Sequence, residues 1–386
     1  MASRFIILDG GMGTTLEDSG YSVSSKLWSS DPELHEAVQT VHEGFLKAGS
    51  DVIGTATYQA CESLYLENGF NSEQASKYMR GAVGIAQQAI TKAGKAGGSK
   101  VGLCLGPFGG TLSPGQEYSG FYPPPYGPKA FDSTGSNTNS FDDATDSEKS
   151  VSALRDFHLS RLRVYANEEA TWRAVDWVMF ETIPLLREGE AIRTAMEDLY
   201  RELATRYGAA DANDTWWKKP YWTSFVFPEG TSPDASHVST IVEKMFGGEN
   251  AETVYPSAIG INCTSPAYIR NLTEQMTNSM AKVLKSASDD SLLLQQPPAF
   301  VLYPDGGLVY DVVTRTWHAP KNAPSVDASS DAERSWAKNV AQVARWAAEQ
   351  EVTTSTGTRP VWRQILVGGC CKSGYKEIAG LRAELL

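Results

Sequence analysis

Five cysteines stand at Cys61, Cys104, Cys263, Cys370 and Cys371, two of them adjacent. A free cysteine is often only a small buried hydrophobe, and Cys61 and Cys104, set in apolar stretches, read that way. Cys263 and the Cys370–Cys371 pair read differently. Gly368-Gly369 precedes the pair and gives the backbone freedom to turn both thiols the same way. The separation of 370 − 263 = 107 residues is unlike a zinc ribbon or finger, whose ligands come in close pairs. Three thiolates with a fourth position open form a catalytic pattern, with one Zn²⁺ expected per chain. Such a site is net negative. It makes hydroxide poorly but holds a substrate thiol as a nucleophilic thiolate. The expected chemistry is attack of that thiolate on an electrophilic carbon. A vicinal Cys370–Cys371 disulfide is the less favoured alternative, and this adjacent pair is expected to oxidise once metal is lost. A zinc-dependent hydrolase would draw on histidine ligands, but His35, His42, His158, His237 and His318 contain no His-x-His pair.

The elements that must position these residues alternate. Apolar runs at Phe5–Leu8, Asp51–Thr57, Lys100–Leu105, Trp177–Phe180, Tyr221–Phe227, Ala258–Ile261, Phe300–Tyr303 and Gln364–Val367 read as strands. Helical patterns follow them at Glu33–Ala48, Ser72–Ala93, Val151–Thr171, Arg187–Tyr207, Asp234–Phe246, Pro266–Ser286 and Asp331–Gln350, with a short last helix. Eight βα units predict an α/β chain folded as a single (β/α)₈ TIM-type barrel over residues 1–386. Residues 123–149, rich in Pro, Gly and polar residues, read as a surface insertion with little that packs. A second insertion spans Thr353–Arg359. Barrel chemistry sits where strands end, which selects Asp9, Thr57, Gly106, Glu181, Asn262, Cys263, Tyr303, Cys370 and Cys371.

Charge excludes some partners. Lys plus Arg number 34 and Asp plus Glu 46, so the net charge is −12. That argues against nucleic acid and against anionic membrane. The N-terminal apolar run is too short for an export signal, so a cytoplasmic location with reduced thiols is expected. The sequons at Asn213, Asn262 and Asn271 are then expected to stay unmodified. Asp156-Phe157-His158 opens like a cobalamin-binding motif, but Arg161 stands where that motif needs glycine.

Asp9-Gly10-Gly11-Met12-Gly13-Thr14, Thr55-Ala56-Thr57-Tyr58-Gln59-Ala60, Phe180-Glu181-Thr182-Ile183-Pro184, Gly260-Ile261-Asn262-Cys263-Thr264 and Gly368-Gly369-Cys370-Cys371 resemble the zinc-dependent homocysteine S-methyltransferases. The resemblance runs from about Leu8 to about Ile378. It implies a (β/α)₈ barrel and methyl transfer to the zinc-bound sulfur of L-homocysteine, giving methionine. Cys263, Cys370 and Cys371 would be the zinc ligands. Glu181 would take the homocysteine ammonium, with Asp9 and Asn262 lining the same pocket. Trp28 and Tyr58 would offer aromatic faces to a cationic methyl donor. Betaine-using relatives carry an aromatic after the strand-four glutamate; Thr182 stands there, which implies a sulfonium donor, S-methylmethionine or S-adenosylmethionine. The chain departs from the family pattern at Pro304-Asp305-Gly306-Gly307 and at Lys372-Ser373-Gly374-Tyr375.

Overall fold

The structure, a computed structural model, describes residues 4–208, 215–247, 254–311, 316–318 and 330–386. The Asn213 sequon and part of the 305–330 loop lie outside them. Eight parallel strands form the central sheet: β1 (Phe5–Ile7), β2 (Val52–Gly54), β3 (Lys100–Leu105), β4 (Trp177–Ile183), β5 (Tyr221–Phe225), β6 (Ala258–Asn262), β7 (Ala299–Tyr303) and β8 (Ile365–Val367). Their order is β1-β8-β7-β6-β5-β4-β3-β2. The ends of this order meet: Asp51 N–H donates to Ile7 O at 2.7 Å, and Ile7 N–H donates to Asp51 Oδ2 at 2.9 Å. The sheet is therefore a barrel, nearly closed, with helices outside, as the alternation predicts.

Strand periodicity divides the core in two. Outward residues such as Leu103, Leu105, Phe180, Ile261 and Leu302 join the large cluster under the helices. Inward ones, among them Leu8, Met179, Trp222, Ala258, Val301 and Leu366, fill the barrel. Successive strand residues face opposite sides, so the parity of these core residues fixes which later ones face the mouth.

Several element boundaries differ from expectation for local reasons. The first long helix is His35–Ala48, preceded by a 3₁₀ turn at Pro32–Leu34 that the Asp31 side chain caps through Glu33 N–H. The insertion at 123–149 is irregular only to Asp143, whose side chain caps Thr145 N–H and starts the helix Ala144–Ala166. It also packs more than its composition suggests. Tyr126 within it stacks on Phe108 with centroids 3.8 Å apart, beside the fully buried Tyr122 that precedes it. The Thr353–Arg359 stretch belongs to an antiparallel hairpin, Glu351–Thr354 with Gly357–Pro360.

Candidate active site

A cavity opens at the C-terminal ends of the strands. Below it lies the apolar filling; at its level the inward positions turn polar. On β3 and β4 these are Cys104 and Glu181, and on β5, β6 and β7 they are Ser224, Asn262 and Tyr303. Cys104 donates its S–H to Glu181 Oε1 at 3.0 Å, and Glu181 also bonds Tyr303. The Tyr303 hydroxyl pairs with Ser224 Oγ at 2.6 Å, and Ser224 Oγ donates to Asn262 Oδ1 at 2.8 Å.

The three cysteines selected from the sequence converge. Their sulfurs lie within 4.8 Å of one another. Cys263 follows β6, while Cys370 and Cys371 follow β8, so β7 separates the two contributing strands. The Cys263 and Cys371 sulfurs are 3.8 Å apart. A tetrahedral site with Zn–S bonds of about 2.3 Å has S···S edges of about 3.8 Å, so this pair is already spaced for a shared ion. Cys263 and Cys370 are joined as a disulfide, with Cys371 free. The structure thus joins Cys370 to Cys263 across the mouth, whereas the sequence points to the adjacent Cys370–Cys371 as the pair that oxidises. Reduction would free Cys263 and Cys370, making three thiols with Cys371, and the donor set then fits a soft divalent metal. Burial, with the nearby Asp305 and Glu181 charges, pushes the free Cys371 thiol up to about 12, so a metal would be needed to hold it as thiolate.

Gly368 and Gly369 act otherwise than expected. Neither has a positive φ. A Cβ on Gly368 would stand 2.6 Å from Leu8 Cβ, and one on Gly369 2.3 Å from Ser373 Cβ. Gly368 lets the turn after β8 press against the turn after β1, and Gly369 lets that turn fold tightly onto its own Ser373. Gly11 N–H donates to Ser373 O at 3.0 Å, and Gly369 N–H to Asp9 O at 3.0 Å.

Two carboxylates flank the cluster. Asp9 accepts Gly54 N–H at 2.8 Å on Oδ2; burial, and to a lesser degree the Glu181 charge, lift its pKa to about 8. Burial also raises Glu181, while its bonds to Cys104 and Tyr303 oppose the rise. Burial raises both carboxyls in one cavity, and a bound cation would favour their charged forms. Both line the cavity, as do Trp28 and Tyr58, whose rings meet edge-to-face at 6.5 Å.

Asn262 does not line the cavity. It is fully buried behind the wall. Its Oδ1 accepts Thr182 N–H at 2.7 Å, and its Nδ2 donates to Thr182 Oγ1 at 2.8 Å. These bonds hold Thr182 at φ 61°. Of the five described non-glycine residues with positive φ, Trp28, Thr182 and Cys263 line the cavity and Lys372 adjoins Cys371. Strain gathered at one place marks a functional site.

Sequence reading missed several contributors. Cys104 is no mere core filler, since it supports Glu181. Glu117 and Tyr118, in the loop after β3, line the cavity, and Tyr118 bonds the Cys371 sulfur. Arg161 is fully buried; it donates to Ala60 O at 2.9 Å, Gly106 O at 2.7 Å, Tyr58 O at 2.7 Å and Thr57 O at 3.2 Å. It ties the loops after β2 and β3 together and fixes the backbone of Tyr58. Strand parity would have found Cys104. Nothing in the sequence points to Arg161.

The family profile described as homocysteine S-methyltransferase matches residues 6–385. The chain belongs to the homocysteine S-methyltransferase family. It is 26% identical to homocysteine S-methyltransferase 1 of Arabidopsis thaliana, over 98% of this chain and 93% of that one. It is 28% identical to homocysteine S-methyltransferase 2 of the same plant, over 81% and 80%. Among solved structures it resembles the metallated homocysteine methyltransferase MmuM of Escherichia coli in fold, with TM-score 0.58 and 21% identity, over 99% and 96% of the two chains. The chain is a methyltransferase acting on small molecules. No helix among the described residues is long and apolar enough to cross a membrane.

Proposed function

We propose that this methyltransferase moves a methyl group from a sulfonium donor, S-methylmethionine or S-adenosylmethionine, to the sulfur of L-homocysteine, giving methionine. The observation that carries the reading is the convergence of Cys263, Cys370 and Cys371 beside Glu181 and Asp9 in one cavity. The three thiolates would hold one Zn²⁺, which supplies an open position that keeps a thiol deprotonated yet nucleophilic at neutral pH. Asp9 and Glu181 bind the homocysteine ammonium and thereby fix the direction from which its sulfur faces the donor. Trp28 and Tyr58 offer π faces to the sulfonium. The new S–CH₃ bond forms as the donor's S⁺–CH₃ bond breaks, and the electron pair stays on the departing sulfur, which leaves as a neutral thioether. Asn262 acts as a positioning residue, through Thr182 and through its contact with Cys370. The whole chain, 1–386, serves this one barrel domain. A cytoplasmic setting suits it, because the ligands must stay reduced.

No histidine among the described residues lines the cavity, so a hydrolytic zinc site would lack its usual ligands. A non-catalytic relative that only binds zinc or amino acids would show metal without turnover. The deciding experiment is methionine formation by reduced, zinc-loaded protein from homocysteine with S-methylmethionine, S-adenosylmethionine or betaine, with and without chelator. Turnover with a sulfonium donor, lost on chelation and regained with zinc, is expected. Turnover with betaine alone, or turnover indifferent to chelator, overturns the reading.

A further inference from the structure

The cavity holds one acid that the homocysteine site does not use. Glu117 lines it beside Tyr58 and Tyr118. Its Oε2 is shielded from solvent and has no hydrogen-bond partner. A carboxylate oxygen kept dry and unpaired is costly, and a cavity wall is where a ligand can supply the missing partner. Homocysteine brings a single ammonium, and two acids are already placed for it. Asp9 is anchored by Gly54 N–H, and Glu181 by Cys104 and Tyr303. Glu117 belongs to a different element, the loop after β3. Its charge bears on the Tyr58 and Tyr118 hydroxyls, both held well above the usual tyrosine range chiefly by burial. Tyr58 pairs edge-to-face with Trp28. Tyr58 also feels the Glu181 charge, so the aromatic faces and Glu117 form a second cationic subsite that adjoins the first.

We propose that Glu117 binds the α-ammonium of the methyl donor, so that this enzyme selects sulfonium donors that are themselves amino acids. The inference rests on the sulfonium reading above. The aromatic rings face the sulfonium, and Glu117 reads a second positive charge a few bonds away. Donors with a sulfonium but no ammonium gain only the first contact. Homocysteine is indifferent to Glu117.

The test compares Glu117→Gln with the wild type as zinc-loaded enzymes, using S-methylmethionine and dimethylsulfoniopropionate, which keeps the sulfonium and lacks the ammonium. The expected result is a KM for S-methylmethionine raised roughly ten- to a hundredfold, the scale of one charge-assisted bond. KM for homocysteine and kcat/KM for dimethylsulfoniopropionate should be unchanged. The ratio of kcat/KM for the two donors is independent of the active fraction, so partial misfolding of the variant does not obscure it. An unchanged ratio, whether both donors suffer equally or neither suffers, overturns the assignment while leaving the sulfonium reading intact. A wild-type enzyme that uses neither of these donors nor S-adenosylmethionine overturns both.

Discussion

Arg161 offers the sharpest test of how the site is held. Arg161→Met keeps the apolar stem and deletes the cation. Four carbonyls lose a donor. Thr57 O still accepts Ala60 N–H, and Tyr58 O still accepts Gly106 N–H. The other two, Ala60 O and Gly106 O, lose Arg161 bonds of 2.9 and 2.7 Å in a buried setting. Each orphaned carbonyl costs about 1–3 kcal/mol, so about 2–6 kcal/mol of stability is at stake. Relief of the buried guanidinium's own desolvation offsets part of that. The variant should therefore melt several degrees lower. It should also be damaged selectively: Tyr58 lies on the donor side, whereas the cysteines and Glu181 are positioned by other strands. Steady-state kinetics on the folded variant should show a raised donor KM, with homocysteine KM and zinc content near wild type. An unchanged melting temperature, or equal rises in both KM values, would refute the reasoning.

Cys104→Ala should weaken homocysteine use by roughly two- to tenfold, the loss of one modest hydrogen bond. Cys104→Ser should lose less and zinc content should hold; full activity in the alanine variant would show that Glu181 needs no support from β3. Cys370→Ala, assayed for bound metal, should lose zinc and turnover, and full occupancy would remove Cys370 from the ligand set. Chelation of wild type should abolish turnover and leave far-UV circular dichroism intact, because the barrel has a large core of its own. His42 is buried with both ring nitrogens unpartnered, and burial lowers its pKa to about 4 from 6.5. The unfolded chain takes up that proton first, so stability is intact above pH 6.5 and falls by up to about 3 kcal/mol as pH drops to 4. Thermal melts should show His42→Leu losing less than wild type on acidification, and parallel pH curves would contradict this.

Much of this was legible in the sequence because it depends on local pattern. Each barrel strand is a short apolar run bounded by turn residues, and the cysteines and Glu181 stand where those runs stop. What escaped depends on register and packing across strands. Cys104 reads as core because Leu103 and Leu105 beside it are core; only its parity, shared with the inward Gly102, turns it toward Glu181 on β4. Asn262 stands at a strand end like a binding residue, yet its amide is consumed by Thr182 and Ser224. Gly368 and Gly369 look like conformational hinges and are in fact contact points. Adjacency in the chain pointed to Cys370–Cys371 as the oxidising pair, whereas the fold brings Cys370 to Cys263.

The pairing of β1 with β8 sets a timetable for synthesis. β1 lies between β8 and β2, and toward β2 it is tied chiefly through Asp51 and Ser50. Its ladder partner among the described residues, Ile365–Val367, begins 365 − 5 = 360 residues after Phe5. At about 5–20 residues per second, β1 waits roughly 20–70 s on the ribosome with that edge unpaired. Cys370 and Cys371 emerge later still. A nascent chain can therefore neither close its barrel nor assemble a three-thiolate site. Metal loading would have to wait until Cys370 and Cys371 are made, and the exposed β1 edge is the point where a chaperone would have most to protect.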